Sequence, residues 1–329
     1  MIETIYIEKD VRHHPRVEEI LARFSGAEKI ICDHYGEIFN RKAQNFRFQK
    51  QNPSLILAKK HKGYVLPAPE AYSIGGDHNF YFSHMMNCIY DCRYCFLQGM
   101  YRSANYVLFV NFEDTHDEIA RIAKDHPNDS CYFFSGYDCD SMALEPVTHF
   151  VENTLPIFER LPDAWIELRT KSTQIRSLLE RDVVENCVVA FSLSPDNIVD
   201  HLEDKTPSLR KRIDAMKKLQ DRGWAIGLRF DPLIYSHHYQ QDYTKMFEQV
   251  FGDISLESIH SVSLGNFRMP EKFFKNMVKL YPDEKMFAGP LSENGGMISY
   301  PEVIEKDMMG YCEQKILEHI PSEIFFPCH

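Results

Sequence analysis

Cys88-Ile89-Tyr90-Asp91-Cys92-Arg93-Tyr94-Cys95 places three thiols on one short stretch, with three and then two residues between them. Three thiolates so close in sequence can converge on a single iron–sulfur cluster, and three ligands rather than four leave one iron open to a small molecule. The same cysteines could instead supply three ligands of a structural zinc completed by a His, although zinc arms favour paired Cys-x-x-Cys spacing. The cysteine count is nine, an odd number. The start Met1-Ile2-Glu3 opens no secretory apolar region and no apolar run approaches the ~18 residues of a membrane span, so the expected location is cytoplasmic, with no membrane partner. In a compartment that keeps thiols reduced, such cysteine usage argues for metal or catalytic roles over disulfides.

A loop of this kind must be held by regular elements, and the hydrophobic pattern supplies them. Hydrophobic content of 44% with 26% charged residues is that of a globular protein, and 329 residues suit one α/β barrel with additions. Strands are expected at Asn79–Ser83, Tyr106–Asn111, Cys131–Ser135, Trp165–Arg169, Val188–Leu193, Ala225–Phe230 and Val262–Leu264, separated by amphipathic stretches. The clearest helix is expected to start at Thr206 as N-cap with Pro207 next, to carry Leu209, Ile213, Met216 and Leu219 on its inner face and Lys211, Arg212, Lys217 and Lys218 outside, and to stop at Gly223. Short apolar strands alternating with helices require parallel crossovers, giving a doubly wound sheet or a barrel.

Residues 1–76 form an expected N-terminal unit, residues 77–290 the catalytic core and residues 291–329 a C-terminal helical extension. The first unit holds a basic stripe: Arg41, Lys42, Arg47, Lys50, Lys59, Lys60 and Lys62 fall in a stretch with no Asp or Glu, interleaved with Phe46 and Phe48. Against it stands a net charge of -11, which disfavours tight non-specific binding to nucleic acid. In an α/β barrel the sites lie just past the carboxyl ends of the strands. Those positions hold His84, Ser135, Tyr137, Asp138, Cys139, Asp140, Arg169, Lys171, Ser192, Ser194, Arg229 and Asp231, a polar set suited to a charged nucleoside cofactor. Ser135 and Arg229 are cofactor-binding candidates from this set.

The cysteine run, with Tyr94 before its third cysteine, resembles the motif of the radical S-adenosylmethionine (radical SAM) enzymes. The resemblance sharpens to the spore photoproduct lyase family: Cys88 through Gln98, then Thr170-Lys171, Phe191-Ser192, Thr206-Pro207-Ser208-Leu209 and Gly223-Trp224-Ala225-Ile226-Gly227 before Asp231-Pro232-Leu233 have counterparts in the same order, over roughly residues 78 to 250. It implies a partial (β/α)6 barrel, a [4Fe-4S] cluster on Cys88, Cys92 and Cys95, and S-adenosylmethionine held by Lys171 and Ser192. It further implies a DNA lesion or modified nucleotide as substrate and a reducing partner such as flavodoxin or ferredoxin. In the family a cysteine returns a hydrogen atom to the product radical with two tyrosines in support. Here that cysteine falls on Tyr137, Cys139 lies two places later where the family has a cofactor-contacting serine, one tyrosine is kept as Tyr94 and the other is Phe96. Tyr137, Cys139 and Tyr94 are therefore the catalytic candidates, with Cys139 also a cofactor contact. Two alternatives stay open: a radical SAM enzyme on a small metabolite or peptide, and a zinc-stabilised binding protein without catalysis.

Overall fold

The structure, a computed structural model, describes residues 2–69 and 72–328. Its main sheet has eight strands. His78–Phe82, Cys131–Ser135, Ala164–Thr170, Cys187–Ser192, Ala225–Leu233, Ile259–Asn266 and Phe325–Cys328 follow one another across it in chain order, all parallel, and Leu66–Pro67 adds antiparallel to the first. A doubly wound sheet reverses its strand order part-way, whereas this one never does, and so it curls one way into a partial barrel. Its two edge strands do not pair with each other among the described residues, which leaves the barrel open.

Alternation along each strand builds two environments. Ala164, Ile166 and Leu168 face outward into the core shared with helices Phe150–Phe158, Leu209–Gln220 and Tyr239–Asp253, with Phe133, Val189, Phe191, Leu228 and Phe230 from neighbouring strands. The intervening residues fill the barrel in layers. At the lower end Tyr132 stacks on Trp165 at 5.5 Å, and above them Glu167 pairs with Arg229 at 2.7 Å. Gly227 makes room for that pair, since a Cβ there would lie 2.7 Å from Arg229 Nη2 and 2.9 Å from Ala190 Cβ.

A second, five-stranded sheet orders Glu28–Cys32, Thr4–Glu8, Leu55–Ala58, Tyr106–Phe109 and Met85–Met86. The strand expected at Tyr106 thus forms, but in this sheet rather than the barrel. All four of its residues are buried, and it pairs in parallel with Leu55–Ala58. The cysteine stretch runs out of Met85–Met86 and back towards Tyr106, so it lies between the two sheets, and the core and N-terminal unit are interleaved rather than split at residue 76. At the other end, Phe325–Cys328 is a barrel strand, and helix Glu302–Leu317 packs on Tyr239–Asp253 through Tyr239–Asp307 and Tyr311–Thr244 contacts. The C-terminal segment thus supplies an edge strand of the open barrel as well as a helix.

The helix expected from Thr206 begins two residues later. Ser208 caps it, its Oγ accepting from Lys211 N, while Thr206 donates to the Glu203 carbonyl at 2.9 Å. Arg212, expected on the outer face, is fully buried.

Candidate active site

The cysteine stretch is fixed at both ends and in the middle. Asp91–Cys92 pairs antiparallel with Glu203–Asp204, Arg93 N donates to Leu202 O at 2.8 Å, and Gln98 N donates to Cys95 O at 3.1 Å as the helix Leu97–Met100 begins. Cys88, Cys92 and Cys95 are free thiols. Burial, followed by Asp140, pushes the Cys88 thiol up to about 12, and burial with Glu203 pushes Cys92 well above the usual thiol range. Backbone N–H groups of Tyr90 and Leu97 and the ammonium groups of Lys50 and Lys171 act in the opposite sense on this set. Thiols so placed ionise when a metal displaces their protons, and the amides and ammoniums are suited to the resulting sulfur charge.

Tetrahedral zinc with bonds of about 2.3 Å would bring its sulfurs to about 3.8 Å of one another. Among the described residues, the triads whose ligand atoms all lie within 4.8 Å are Glu8/His34/His61 and His78/His126/Asp129. Cys88, Cys92 and Cys95 are not one of these triads, so their sulfurs do not all lie within 4.8 Å of one another.

Beside the loop lies a buried polar hub. Glu203 accepts from Tyr94 Oη, from Arg212 Nη2 and from Ser194 Oγ at 3.0 Å, with Lys171 Nζ at 3.9 Å. Burial pushes the Glu203 carboxyl up, but Lys171 and Arg212 outweigh it and hold the group down at about 2, so it is ionised. Arg212 also donates to Ser192 O at 2.9 Å, which ties the hub to the barrel strand. Asp140 fixes the next loop: Oδ1 accepts from Met142 N, Ala143 N and Thr170 Oγ1, and Oδ2 accepts from Lys171 N at 2.7 Å. Across the mouth, Arg169 donates to Tyr72 Oη at 2.8 Å and to Ser192 Oγ at 3.4 Å, and faces Asp231 at 3.5 Å.

The structure brings Lys171 and Tyr94 to the cysteine loop, and joins Ser192 to them through Arg212. Tyr137 is 45% exposed and packs at a tilt on Tyr81, ring centroids 4.4 Å apart, and on Phe96 of the cysteine loop at 5.7 Å. Cys139 is 8% exposed, with Sγ 4.0 Å from His84 Nδ1, and burial together with the nearby Cys88 raises its thiol far above the usual range.

Two expected cofactor contacts are corrected. Arg229 has no exposed surface and all five of its N–H groups are engaged, by both Glu167 oxygens, Leu228 O, Ser261 O and Ser261 Oγ. It neutralises Glu167 one layer below the mouth, and Arg169 is the barrel arginine that reaches the rim. Ser135 donates to Glu167 O and shares a hydrogen bond with Ser141 Oγ, both at 2.7 Å, so it fastens a loop.

The spore photoproduct lyase family model matches residues 79–288, well over half of the chain. The chain belongs to the spore photoproduct lyase family. Spore photoproduct lyase of Bacillus subtilis (strain 168) is 22% identical over 295 residues, which span 86% of this chain and 83% of that protein. The enzyme of Geobacillus sp. (strain Y412MC61) is 21% identical over 164 residues, half of this chain and 48% of its own length. A spore photoproduct lyase double mutant with bound AdoMet and dinucleoside spore photoproduct superposes with a TM-score of 0.85 at 14% identity, covering 100% of this chain and 98% of that one. This likeness shows the fold, a radical SAM partial barrel over the full length, and the family match runs beyond residue 250, where the sequence resemblance fades.

The donor set fits the family's cofactors. Three thiols on one loop, amides aimed at two of them and ammoniums alongside suit a [4Fe-4S] cluster, and Lys171, Ser192 and Arg169 suit the carboxylate end of S-adenosylmethionine. Sequence spacing missed Glu203, Arg212 and Lys50. Glu203 and Lys50 reach the loop through contacts distant in sequence and Arg212 through Glu203, and in sequence Arg212 and Lys50 look like members of solvated basic runs.

Proposed function

We propose that this chain is a radical SAM enzyme that acts on a DNA lesion of the spore photoproduct type. The observation that carries it is the gathering of Cys88, Cys92 and Cys95 at the barrel mouth beside Lys171, within a chain of the spore photoproduct lyase family. When bound, the cluster and S-adenosylmethionine supply a deoxyadenosyl radical able to take a hydrogen atom from substrate. Lys171 and Ser192 would orient the methionine end, each through a charge-assisted hydrogen bond to its carboxylate, and Glu203 holds Lys171 in place. Arg212 and Asp140 act through these groups as positioning residues.

Hydrogen return belongs to Tyr137. Half exposed and packed at a tilt against Tyr81 and Phe96, it offers a ring on which a base can stack. Cys139, two residues on and buried beside His84, can give its thiol hydrogen atom to the Tyr137 radical, and the thiyl radical so formed returns to the thiol on taking one electron from the external reductant and a proton. Tyr94 is bonded to Glu203 and keeps the cysteine loop in register. The electron comes from a small low-potential protein such as flavodoxin or ferredoxin.

A second reading, a nucleoside-sized or other small substrate, is favoured by one observation. Lys50 and Lys60 of the basic stripe turn inward, donating to Cys88 O and Ser83 O, which weakens the outward field for a polyanion. Anaerobic reconstitution tests the main proposal: about four irons bound and deoxyadenosine formed on reduction with S-adenosylmethionine support it. One equivalent of zinc, no iron and no deoxyadenosine would refute it. Lesion loss in a free dinucleotide but not in DNA would favour the second reading.

A further inference from the structure

Lys50 follows the short helix Phe46–Gln49 in the N-terminal unit and reaches the cysteine loop. Its Nζ donates to Cys88 O at 3.1 Å and to Tyr90 O at 3.2 Å. The side chain is only 8% exposed, and among the described residues no carboxylate oxygen lies within 4.0 Å of its ammonium. A buried cation held only by neutral carbonyls is costly unless an anion is close by. The carboxylates around this loop are already engaged: Asp91 by Arg93 and Gln98, Glu203 by Arg212 and Lys171, and Asp140 by Met142 N, Ala143 N, Thr170 Oγ1 and Lys171 N. The anion that remains is the cysteine set itself: Lys50 acts on the charge of both Cys88 and Cys95. A [4Fe-4S] core on three thiolates would be a net anion and gain a further negative charge on reduction, so a fixed cation held on the Cys88 carbonyl favours the reduced form.

We propose that Lys50 is the counter-charge of the cluster, a positioning residue from outside the barrel that raises the cluster's reduction potential. The proposal rests on the reading of Cys88, Cys92 and Cys95 as cluster ligands. Its redox step is the uptake of one electron by the cluster from an external one-electron reductant, with no bond made or broken at Lys50. The N-terminal unit thereby helps set how readily the enzyme is reduced.

The test is an EPR-monitored redox titration of the reconstituted holoenzyme without S-adenosylmethionine, comparing the unaltered chain with Lys50→Gln, Lys50→Met and Lys50→Arg. The glutamine amide can still donate to the carbonyls, so Lys50→Gln removes charge while keeping a hydrogen bond. With iron and sulfide content unchanged, Lys50→Gln is expected to lower the reduced-to-oxidised ratio at a fixed potential about tenfold, about 59 mV for one electron. Lys50→Met should do the same or lose iron, and Lys50→Arg should stay near the original potential. An unchanged midpoint in Lys50→Gln at full iron content would overturn the proposal. Failure of the unaltered chain to bind iron would instead refute the cluster reading on which it rests.

Discussion

Tyr137 and Cys139, the two hydrogen-donor candidates two positions apart in the sequence, differ in exposure and partner, and the proposal gives them different tasks. Tyr137→Phe is expected to leave deoxyadenosine formation intact but to lower repaired product at least about tenfold, ~1.4 kcal/mol, with abortive deoxyadenosine accumulating. Cys139→Ala should slow later turnovers more than the first, as seen in a single-turnover experiment; equal loss in both phases would place the donor at Cys139. Glu203 is the other decisive residue. Glu203→Ala would strand Arg212 in a site without solvent, and the expected loss is about 3–5 kcal/mol of stability, read by denaturant unfolding, together with weakened iron retention. That Cys88, Cys92, Cys95, Lys171 and Ser192 belong to one neighbourhood was legible from motif order. Glu203 and Arg212 were not, because their value lies in meeting each other and Tyr94, and a lone Arg among lysines on a helix reads as surface.

Elements transmit these contacts to the loop. The helix Leu97–Met100 begins two residues after Cys95 and lies against helix Glu271–Leu280, where Asn276 Nδ2 donates to Gly99 O at 2.9 Å. A Cβ on Gly99 would collide with the Phe273 carbonyl. Gly99→Ala is therefore expected to push the helix outward, costing about 1–3 kcal/mol and lowering the iron retained after gel filtration. Glu145 caps helix Phe150–Phe158, accepting from Val151 N at 3.0 and 3.1 Å. Burial raises its carboxyl from 4.5 to about 7. The folded state therefore holds a proton between those values that the unfolded chain has released, and stability declines as pH rises through this window to 7. Glu145→Gln should flatten that decline and melt higher than the unaltered chain at pH 8; parallel pH profiles for the two would show that the group does not titrate there. The strand register Cys131–Ser135 was legible to the residue because it is a short, wholly apolar run. The Tyr106 strand was assigned to the wrong sheet because apolar runs do not name their neighbours.

At the scale of the molecule, the order of strands was legible and the boundaries were not. The strand Phe325–Cys328 closes onto Ile259–Asn266, a pairing across the longest stretch of chain in the barrel, and four terminal residues carry no sign of it. Charge behaves similarly. The stripe reads as one basic surface in sequence, yet Lys50 and Lys60 turn inward while Arg41, Lys42 and the exposed Phe48 line one groove. If DNA lies along that groove, neutralising Arg41 and Lys42 together should flatten the slope of log affinity against log salt by about 1.8, roughly 0.9 per phosphate contact. An unchanged slope would move the phosphate path elsewhere. No helix among the described residues is long and apolar enough to cross a membrane.

The most direct test of the central claim uses the reduced, reconstituted protein with S-adenosylmethionine and either ultraviolet-irradiated or unirradiated DNA, following deoxyadenosine and lesions in one reaction. Lesions should disappear from the irradiated DNA only when both the reductant and S-adenosylmethionine are present, with deoxyadenosine detected alongside. Full iron content with deoxyadenosine formed at the same rate in both arms, and lesions untouched, would contradict the account.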